Sequence, residues 1–183
     1  MNPRLLAFCR SVLFIAAFAL AGAIAADAQD EPKLIPDVVD FNALLPLLPE
    51  PPADWSAEKA EGSTDELEET KITTVHRDYQ KGEADGSPTA SISILDSAAN
   101  PDYVELTTAG WKLEESNAEG YTKSVDIDGN PGFEVFENDG QHGTIWVLVA
   151  KRYFLQIETT GQDASALREW LGRIDLKKLA DVK

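Results

Sequence analysis

Cysteine and histidine are scarce in this chain of 183 residues, which contains Cys9, His76 and His142 and no others of these two types. Cys9 lies before an N-terminal apolar run. A chain that has lost this run therefore has no disulfide, no thiolate nucleophile and no cysteine metal ligand. The histidines lack the H-E-x-x-H spacing of a zinc site, and no G-x-S-x-G elbow marks a serine nucleophile. We therefore predict no catalytic residue, no metal site and no cofactor.

Positive charge is also scarce, with 16 lysines and arginines against 32 aspartates and glutamates and a net charge of −16. A protein this acidic repels nucleic-acid phosphates and anionic lipids. We expect no nucleic-acid partner and no strong membrane binding. The glycine-containing loop 81–88 matches neither G-x-G-x-x-G nor G-x-x-x-x-G-K-[ST], the patterns of phosphate-binding loops. The acidity does allow a cation or a basic protein surface as a partner.

The N-terminus has the pattern of a secretory signal peptide. Arg4 and Arg10 precede an apolar stretch, Val12–Ala26. Two small-x-small sites allow cleavage after Ala25 or after Ala28. The apolar run is shorter than the roughly 20 residues of a membrane span, so an uncleaved anchor is the alternative interpretation. No Asn-x-Ser/Thr sequon is present, and a disulfide is excluded after cleavage, which favours a bacterial cell envelope. We predict a signal peptide over residues 1–28 and a periplasmic or secreted protein.

A short N-terminal region separates this segment from the folded domain. Residues 29–52 are predicted to form a tail, a short amphipathic helix over Val38–Leu45 and a proline-rich connector. Asp37 is the expected N-cap of the helix, and Pro46 is expected to end it. One α+β domain then occupies residues 53–183, a usual size for a domain with its own core.

The centre of the domain is predicted between His142 and Gly161. Thr144–Val149 is apolar on both faces, which is typical of a central strand that is covered on both sides. Tyr153–Thr159 alternates between apolar and polar residues, which indicates one buried and one wetter face. We interpret Lys151 and Arg152, at the turn between these strands, as solvated turn residues.

Further strands and helices surround this centre. Strands are predicted over Lys71–Gln80, Thr89–Asp96, Tyr121–Ile127 and Gly132–Glu137, and helices are predicted to start at Asn100–Pro101 and at Asp163. The acidic stretch Ser56–Thr70 is predicted to be an exposed loop or the frayed start of a strand, and Trp111–Gly120 has no clear pattern. Together the elements predict an α+β single domain: an antiparallel sheet of about six strands with flanking helices, arranged as an α/β/α sandwich.

Two groups of residues are candidates for binding. Trp55 and Trp111 lie near loops and are our candidate ligand-binding residues, whereas Trp146 and Trp170 fit the pattern of core packing. Residues 126–137 have the length of an EF-hand calcium loop, but Pro131 stands where that loop needs glycine. We interpret this segment as a hairpin turn at Asp-Gly.

The order of elements resembles that of the PsbP-like and DcrB-like extracytoplasmic proteins. Two strands, a helix, four strands and a helix follow the Pro52–Trp55 segment, and the resemblance covers roughly Pro52 to Lys183. It implies an α/β/α sandwich and an assembly or accessory protein of the cell envelope rather than an enzyme. No site residue can be carried over, because no functional motif of those families is matched.

Three functions follow as hypotheses. The first is an exported, non-catalytic accessory or protein-interaction domain whose partner is another envelope protein. The second is a soluble binding module for a cation, a sugar or a small apolar ligand. The third is a hydrolase, which would need His76 or His142 against a carboxylate and a serine. We expect His76 and Asp78 on the same face of one strand.

Overall fold

An antiparallel sheet of nine strands forms the body of the domain in a computed structural model that describes residues 37–67 and 70–183. The predicted signal peptide, residues 1–28, and the beginning of the tail lie outside the described residues. Within the described part, none of the helices combines the length and the apolar character that a membrane span requires.

The described residues contain nine strands and four helices, with one helix between the fourth and fifth strands and two helices at the C-terminal end. The strands are β1 Trp55–Ala57, β2 Glu61–Leu67, β3 Thr70–Lys81, β4 Thr89–Asp96, β5 Glu115–Ser116, β6 Gly120–Ile127, β7 Asn130–Glu137, β8 His142–Val149 and β9 Tyr153–Thr160. The helices are α1 Phe41–Leu44, α2 Pro101–Thr108, α3 Ser165–Leu171 and α4 Leu176–Ala180. Short 3-10 turns occupy Leu45–Leu47 and Asp139–Gln141.

The strand order is β1-β3-β4-β9-β8-β7-β6-β5, and β2 also pairs with β3, on the same edge as β1. The predicted centre is confirmed, because β8 and β9 lie in the middle of this order. The predicted number of about six strands is wrong. Residues 61–67, within the stretch predicted as an exposed loop or the frayed start of a strand, form an edge strand. Its polar side chains largely remain in water, so they show no apolar alternation.

One face of the sheet carries the hydrophobic core. The register puts Tyr153, Leu155, Ile157 and Thr159 of β9 on this face, where all four are buried, as the alternation predicted. Residues from the N-terminal segment, α3 and α4 cover it; they are Leu44, Leu47, Leu167, Trp170, Leu171 and Leu179. We call this the core face.

The opposite face is covered only in part, and we call it the open face. Tyr103 of α2 lies edge-on to Phe154 of β9, with ring centroids 5.3 Å apart, and Trp111 approaches the same ring at 6.1 Å. Further along β9 the open face carries Gln156 and Glu158, which are only half-buried. In the described chain, one helix, α2, covers part of the open face, whereas several elements cover the core face. The fold is therefore not a clear α/β/α sandwich.

The N-terminal helix is shorter than predicted. It begins at Phe41 with Asp40 as its N-cap, and the chain continues through a 3-10 turn that contains Pro46. Asp37, the predicted cap, instead lies 2.9 Å from Lys71 Nζ. The helix starts late because Val38 and Val39 are held extended and buried, and the Val39 N–H donates to Asp96 Oδ2 at 2.7 Å.

The turn between β8 and β9 differs from its prediction. Ala150 and Lys151 both have positive φ, 53° and 56°, as the central residues of a type I′ turn require. Lys151 is exposed, but the interpretation of Arg152 as a solvated turn residue is wrong. Its Nε and Nη2 donate to the carboxylate of Asp96 at 2.8 and 2.7 Å, and Asp96 is fully buried. A long-range ion pair therefore holds a turn that lacks the usual Asn-Gly residues.

Candidate functional site

The open face contains an apolar groove beside α2. Its volume is about 570 Å³, and its apolar lining comes from the segment after α2 and from the middle of β7 and β8. The apolar groove is defined by Trp111, Leu113, Phe133 and Trp146. The rings of Phe133 and Trp146 lie nearly parallel, with centroids 6.3 Å apart. Alternation within the strands produces this pair, because the two residues are register partners and therefore share a face.

The wall of the groove is fixed by the chain that follows α2. Helix α2 ends at Thr108, and three residues later the backbone oxygen of Trp111 accepts a hydrogen bond from the hydroxyl of Ser124 on β6. Trp111 then rests edge-on against Phe154. The backbone of Trp111 is thus held to β6 and its indole lies against β9, while Leu113, two residues later, projects into water with 69% of its surface exposed.

Two leucines at this site are the large hydrophobic residues left most exposed in the described chain. Leu106 on α2 is 77% exposed and directly precedes Thr107, which lines the groove, and Leu113 lines it itself. Single exposed leucines are common on protein surfaces. Leu113 and the half-buried aromatic rings form one apolar surface in the groove, which is typical of an interaction or ligand site, whereas Leu106 lies on α2 outside the residues that line it.

An acidic depression continues from the apolar groove. It has a volume of about 500 Å³ and shares Glu115 and Thr122 with the groove. Its other carboxylates are those of Glu119, Glu137 and Asp139, and no lysine or arginine lines it. Within the described residues, no three histidine, cysteine, aspartate or glutamate side chains converge as a metal site would require. The carboxylates therefore give this end of the groove a negative charge without forming a cage for one ion.

The four tryptophans are divided between the two faces. Trp111 lies in the apolar groove, together with Trp146, which the sequence had suggested as core packing and which is only half-buried. Trp170 is buried in the core, as predicted. Trp55 lies edge-on to Trp170, with centroids 5.0 Å apart, and lines a shallow polar depression. The structure therefore does not bring Trp55 and Trp111 together.

The two histidines lie apart, on β3 and β8, with β4 and β9 between them. His76 Nε2 is 2.9 Å from Asp78 Oδ2 on the same face of β3, as expected. Ser93 is the register partner of His76, yet within the described chain no hydrogen bond joins these two side chains. His142 Nε2 lies 3.7 Å from Glu158. An activated serine needs a hydrogen bond to its base, and neither histidine provides one here.

The segment with EF-hand length is a β-hairpin. β6 and β7 pair from Gly120–Glu137 to Ile127–Asn130. Asp128 and Gly129 have φ of 52° and 82°, which places both central residues of the turn in the left-handed region that a type I′ turn uses. Asp126 accepts the N–H of Gly129 at 2.9 Å and so stabilises the turn. The predicted hairpin turn is confirmed.

A buried carboxylate, which the sequence did not suggest as a special group, lies on the core face of β7. Glu134 is 2% exposed and is contacted by the Tyr121 hydroxyl at 2.7 Å, Lys123 Nζ at 3.0 Å and Arg168 Nη2 at 2.7 Å. Burial raises the pKa of Glu134, but the hydrogen bonds from Tyr121 and Lys123 and the charge of Arg168 outweigh it. The resulting pKa lies below the ordinary value. Burial and the bond to Glu134 raise the pKa of Tyr121.

Glu134 links helix α3, through Arg168, to the sheet. A sequence signal existed: Glu134 stands between Gly132 and Phe136 at a buried-face position of β7. An acid at such a position requires a cationic partner.

No family model, curated protein or solved structure matches this chain. The resemblance to the PsbP-like and DcrB-like proteins therefore stays a prediction, which rests on the order of elements over roughly residues 52–183.

Proposed function

We propose that this protein is an exported, non-catalytic accessory domain of the bacterial cell envelope that binds another envelope protein through the apolar groove. One observation carries the proposal: Leu113 lines the groove beside its aromatic floor and is 69% exposed, and Leu106 on the adjacent helix α2 is 77% exposed. Burying a leucine side chain stabilises a complex by roughly 1.5–3 kcal/mol. A partner that covers Leu113 would gain this contribution in the centre of its interface, where binding energy concentrates.

The location in this proposal rests on the sequence. The signal-peptide pattern of residues 1–28 supports export, and the net charge of −16 opposes association with nucleic acid or anionic lipid. The resemblance to extracytoplasmic accessory proteins supports the same role.

A small apolar ligand is the second candidate. The groove volume of about 570 Å³ falls within the range of ligand pockets, and Trp111 and Trp146 offer flat apolar surfaces. Ligand pockets bury most of the ligand surface, whereas the wall at Leu113 is itself mainly exposed. The groove geometry therefore fits a protein side chain, which its own backbone covers, better than a free small molecule.

A photo-crosslinking experiment in cells tests the proposal. A photoreactive amino acid at position 113 is expected to give a discrete adduct with a second envelope protein. The same amino acid at position 85, which is exposed in the loop between β3 and β4, serves as the matched control and should give none. Failure to obtain an adduct at 113, or the same adducts from both positions, would contradict the proposed interface.

Cell fractionation with intact-mass measurement tests the predicted location. A mature protein that starts at Ala26 or Gln29 in the soluble envelope fraction is the expected result. A protein that retains Met1 in the membrane fraction would show that the apolar run is an anchor. A cytoplasmic protein would contradict export.

A further inference from the structure

We infer that the apolar groove and the acidic depression together bind a protein segment in which a bulky apolar residue is followed closely by lysine or arginine. This inference rests on the proposed interaction function and specifies the chemistry of the partner. The juxtaposition that carries it is one continuous surface, apolar at one end and acidic at the other, that shares Glu115 and Thr122.

The register of β7 sets the distance between the two ends. Phe133 lines the apolar groove and Glu137 the acidic depression, with Val135 between them on the same face. Same-face neighbours in a strand are roughly 6.6 Å apart, so Phe133 and Glu137 are separated by roughly 13 Å. An extended partner spans this distance in about four residues. Fewer residues are enough when the basic residue is lysine or arginine, because their long side chains cover part of the distance. We expect the apolar anchor and the first basic residue to lie two to four positions apart.

The carboxylates at the acidic end are available to a partner. Glu119, Glu137 and Asp139 are exposed. Within the part of the chain that the structure describes, none of these three forms a salt bridge. Glu115 lies across β6 from Val135, since Glu115 pairs with Thr122 and Thr122 pairs with Val135. Carboxylates from two sides of the depression therefore face the same space. A positive side chain there would neutralise a concentrated negative field.

Charge also selects the class of occupant. A second copy of this chain would bring another net charge of −16 to the surface, and like charges brought together in an interface cost free energy. An anionic membrane is opposed for the same reason. A basic segment of a different protein is attracted over a distance of about one Debye length and is then retained by burial of its apolar residue.

A pair of designed peptides tests the preference for a basic segment. The protein is purified in the form in which it occurs in cells. Both peptides are blocked at their ends, are built of glycine and serine, and carry adjacent phenylalanine and leucine. One has lysines two and four positions after the leucine, and the other has glutamates there. Tryptophan fluorescence reports binding, because Trp111 and Trp146 line the groove. We expect the lysine peptide to bind at least about tenfold more tightly, with the difference shrinking as salt is raised.

Matched variants locate the effect. Glu119→Lys combined with Glu137→Lys should weaken the lysine peptide by about tenfold, since it replaces two exposed attractions by repulsions. Glu83→Lys combined with Asp85→Lys changes the net charge by the same amount, but on a distant exposed loop. This pair should weaken binding of the lysine peptide by less than about threefold. Leu113→Glu alters an exposed side chain and should abolish binding of both peptides without unfolding the domain, which circular dichroism verifies.

The outcomes separate this inference from the proposed function. Equal affinity for both peptides, or equal weakening by the two charge-reversed pairs, would overturn the basic segment while leaving the apolar interface. Lack of binding by the unaltered protein, with crosslinks still formed from position 113, would overturn the peptide chemistry alone. Lack of both binding and crosslinks would overturn the inference and the proposed function together.

Discussion

The buried ion pair between Asp96 and Arg152 gives the sharpest test of how this domain is held together. Asp96 ends β4 and is fully buried, and its carboxylate accepts two bonds from Arg152. It also accepts the N–H groups of Val39 at 2.7 Å and Ala98 at 3.0 Å. The perturbation is Asp96→Asn, which keeps the shape of the side chain but removes its charge and half of its acceptor capacity.

The expected loss follows from the number of donors. An asparagine carbonyl oxygen can serve at most part of this set, and its NH₂ group then points at another N–H donor. Removing one partner of a buried ion pair costs roughly 3–5 kcal/mol. Arg152 retains some access to water and a bond to the backbone oxygen of Asp37, so the lower end applies. We expect a loss of about 3 kcal/mol, a large part of the 5–15 kcal/mol that stabilises a typical domain.

Urea unfolding measures this loss. With a slope of about 2 kcal/mol per molar urea, the midpoint should fall by roughly 1.5 M. Glu50→Gln is the matched control, because Glu50 also accepts two bonds from one arginine, Arg77, but is 86% exposed. An exposed pair contributes little to stability, so its midpoint should stay nearly unchanged. Hydrogen exchange at the amide of Val39 should accelerate in Asp96→Asn and not in Glu50→Gln.

A double-mutant cycle tests whether Asp96 and Arg152 are energetically coupled. Asp96→Leu with Arg152→Met should cost clearly less than the sum of the two single variants, because each single variant leaves a charge without its partner. Additive losses would contradict a coupled buried pair. A loss below about 1 kcal/mol for Asp96→Asn would likewise show that the carboxylate does not organise the N-terminal segment.

Three further predictions concern titration and backbone strain. The folded-state pKa of Glu134 lies below its ordinary value of 4.5, so its contribution to stability is present above that pH and is lost as pH falls through the folded value. Glu134→Gln should flatten this acid limb in unfolding measurements, and an unchanged limb would contradict the assignment. Burial raises the pKa of Tyr79 to about 12. Stability should therefore fall between pH 10 and 12, and Tyr79→Phe should reduce this fall, to which Tyr121 and Tyr153 with their raised pKa values also contribute. The substitution should cost about 1 kcal/mol through the lost bond to Pro49. Lys151→Gly should raise the unfolding free energy by roughly 0.5–1 kcal/mol, because glycine adopts the φ of 56° with less strain. A lowered melting temperature would show that the lysine is not strained.

The sequence predicted the elements whose apolar pattern reports their own burial. β4 lies within the predicted bounds Thr89–Asp96, and β9 begins and buries its residues as the alternation of Tyr153–Thr159 indicated. Such strands are predictable because one buried face imposes a period of two on the sequence. Strand β2 could not be distinguished from a loop, because it is held by hydrogen bonds to β3 and its partners there include polar residues, such as Thr73 opposite Thr64. Backbone pairing leaves no mark on side-chain hydrophobicity.

Polar contacts over long sequence distances were beyond prediction for a different reason. Arg152 and Asp96 are separated by 56 positions, and nothing local distinguishes this arginine from a solvated one. Topology creates the contact: β4 and β9 pair so that Asp96 is the register partner of Tyr153. Glu134 is an intermediate case. Its buried-face position is visible in the alternation of β7, but its partner Arg168 lies on a helix whose docking the sequence does not specify.

The apolar groove shows how a proposed binding surface can be mistaken for part of the core. Strand β8 is apolar on both faces, and this pattern correctly predicts a central strand. It also suggests that both faces are covered by the same chain, yet only Thr144 and Leu148 are buried on the open face, while Trp146 between them is not. Burial by a partner selects the same residue types as burial by the protein itself. Strand β8 therefore has more apolar residues on its open face than α2 covers, as we expect of a strand that contributes to the proposed interface. Trp146, interpreted as packing, belongs with Trp111 as a residue of that surface.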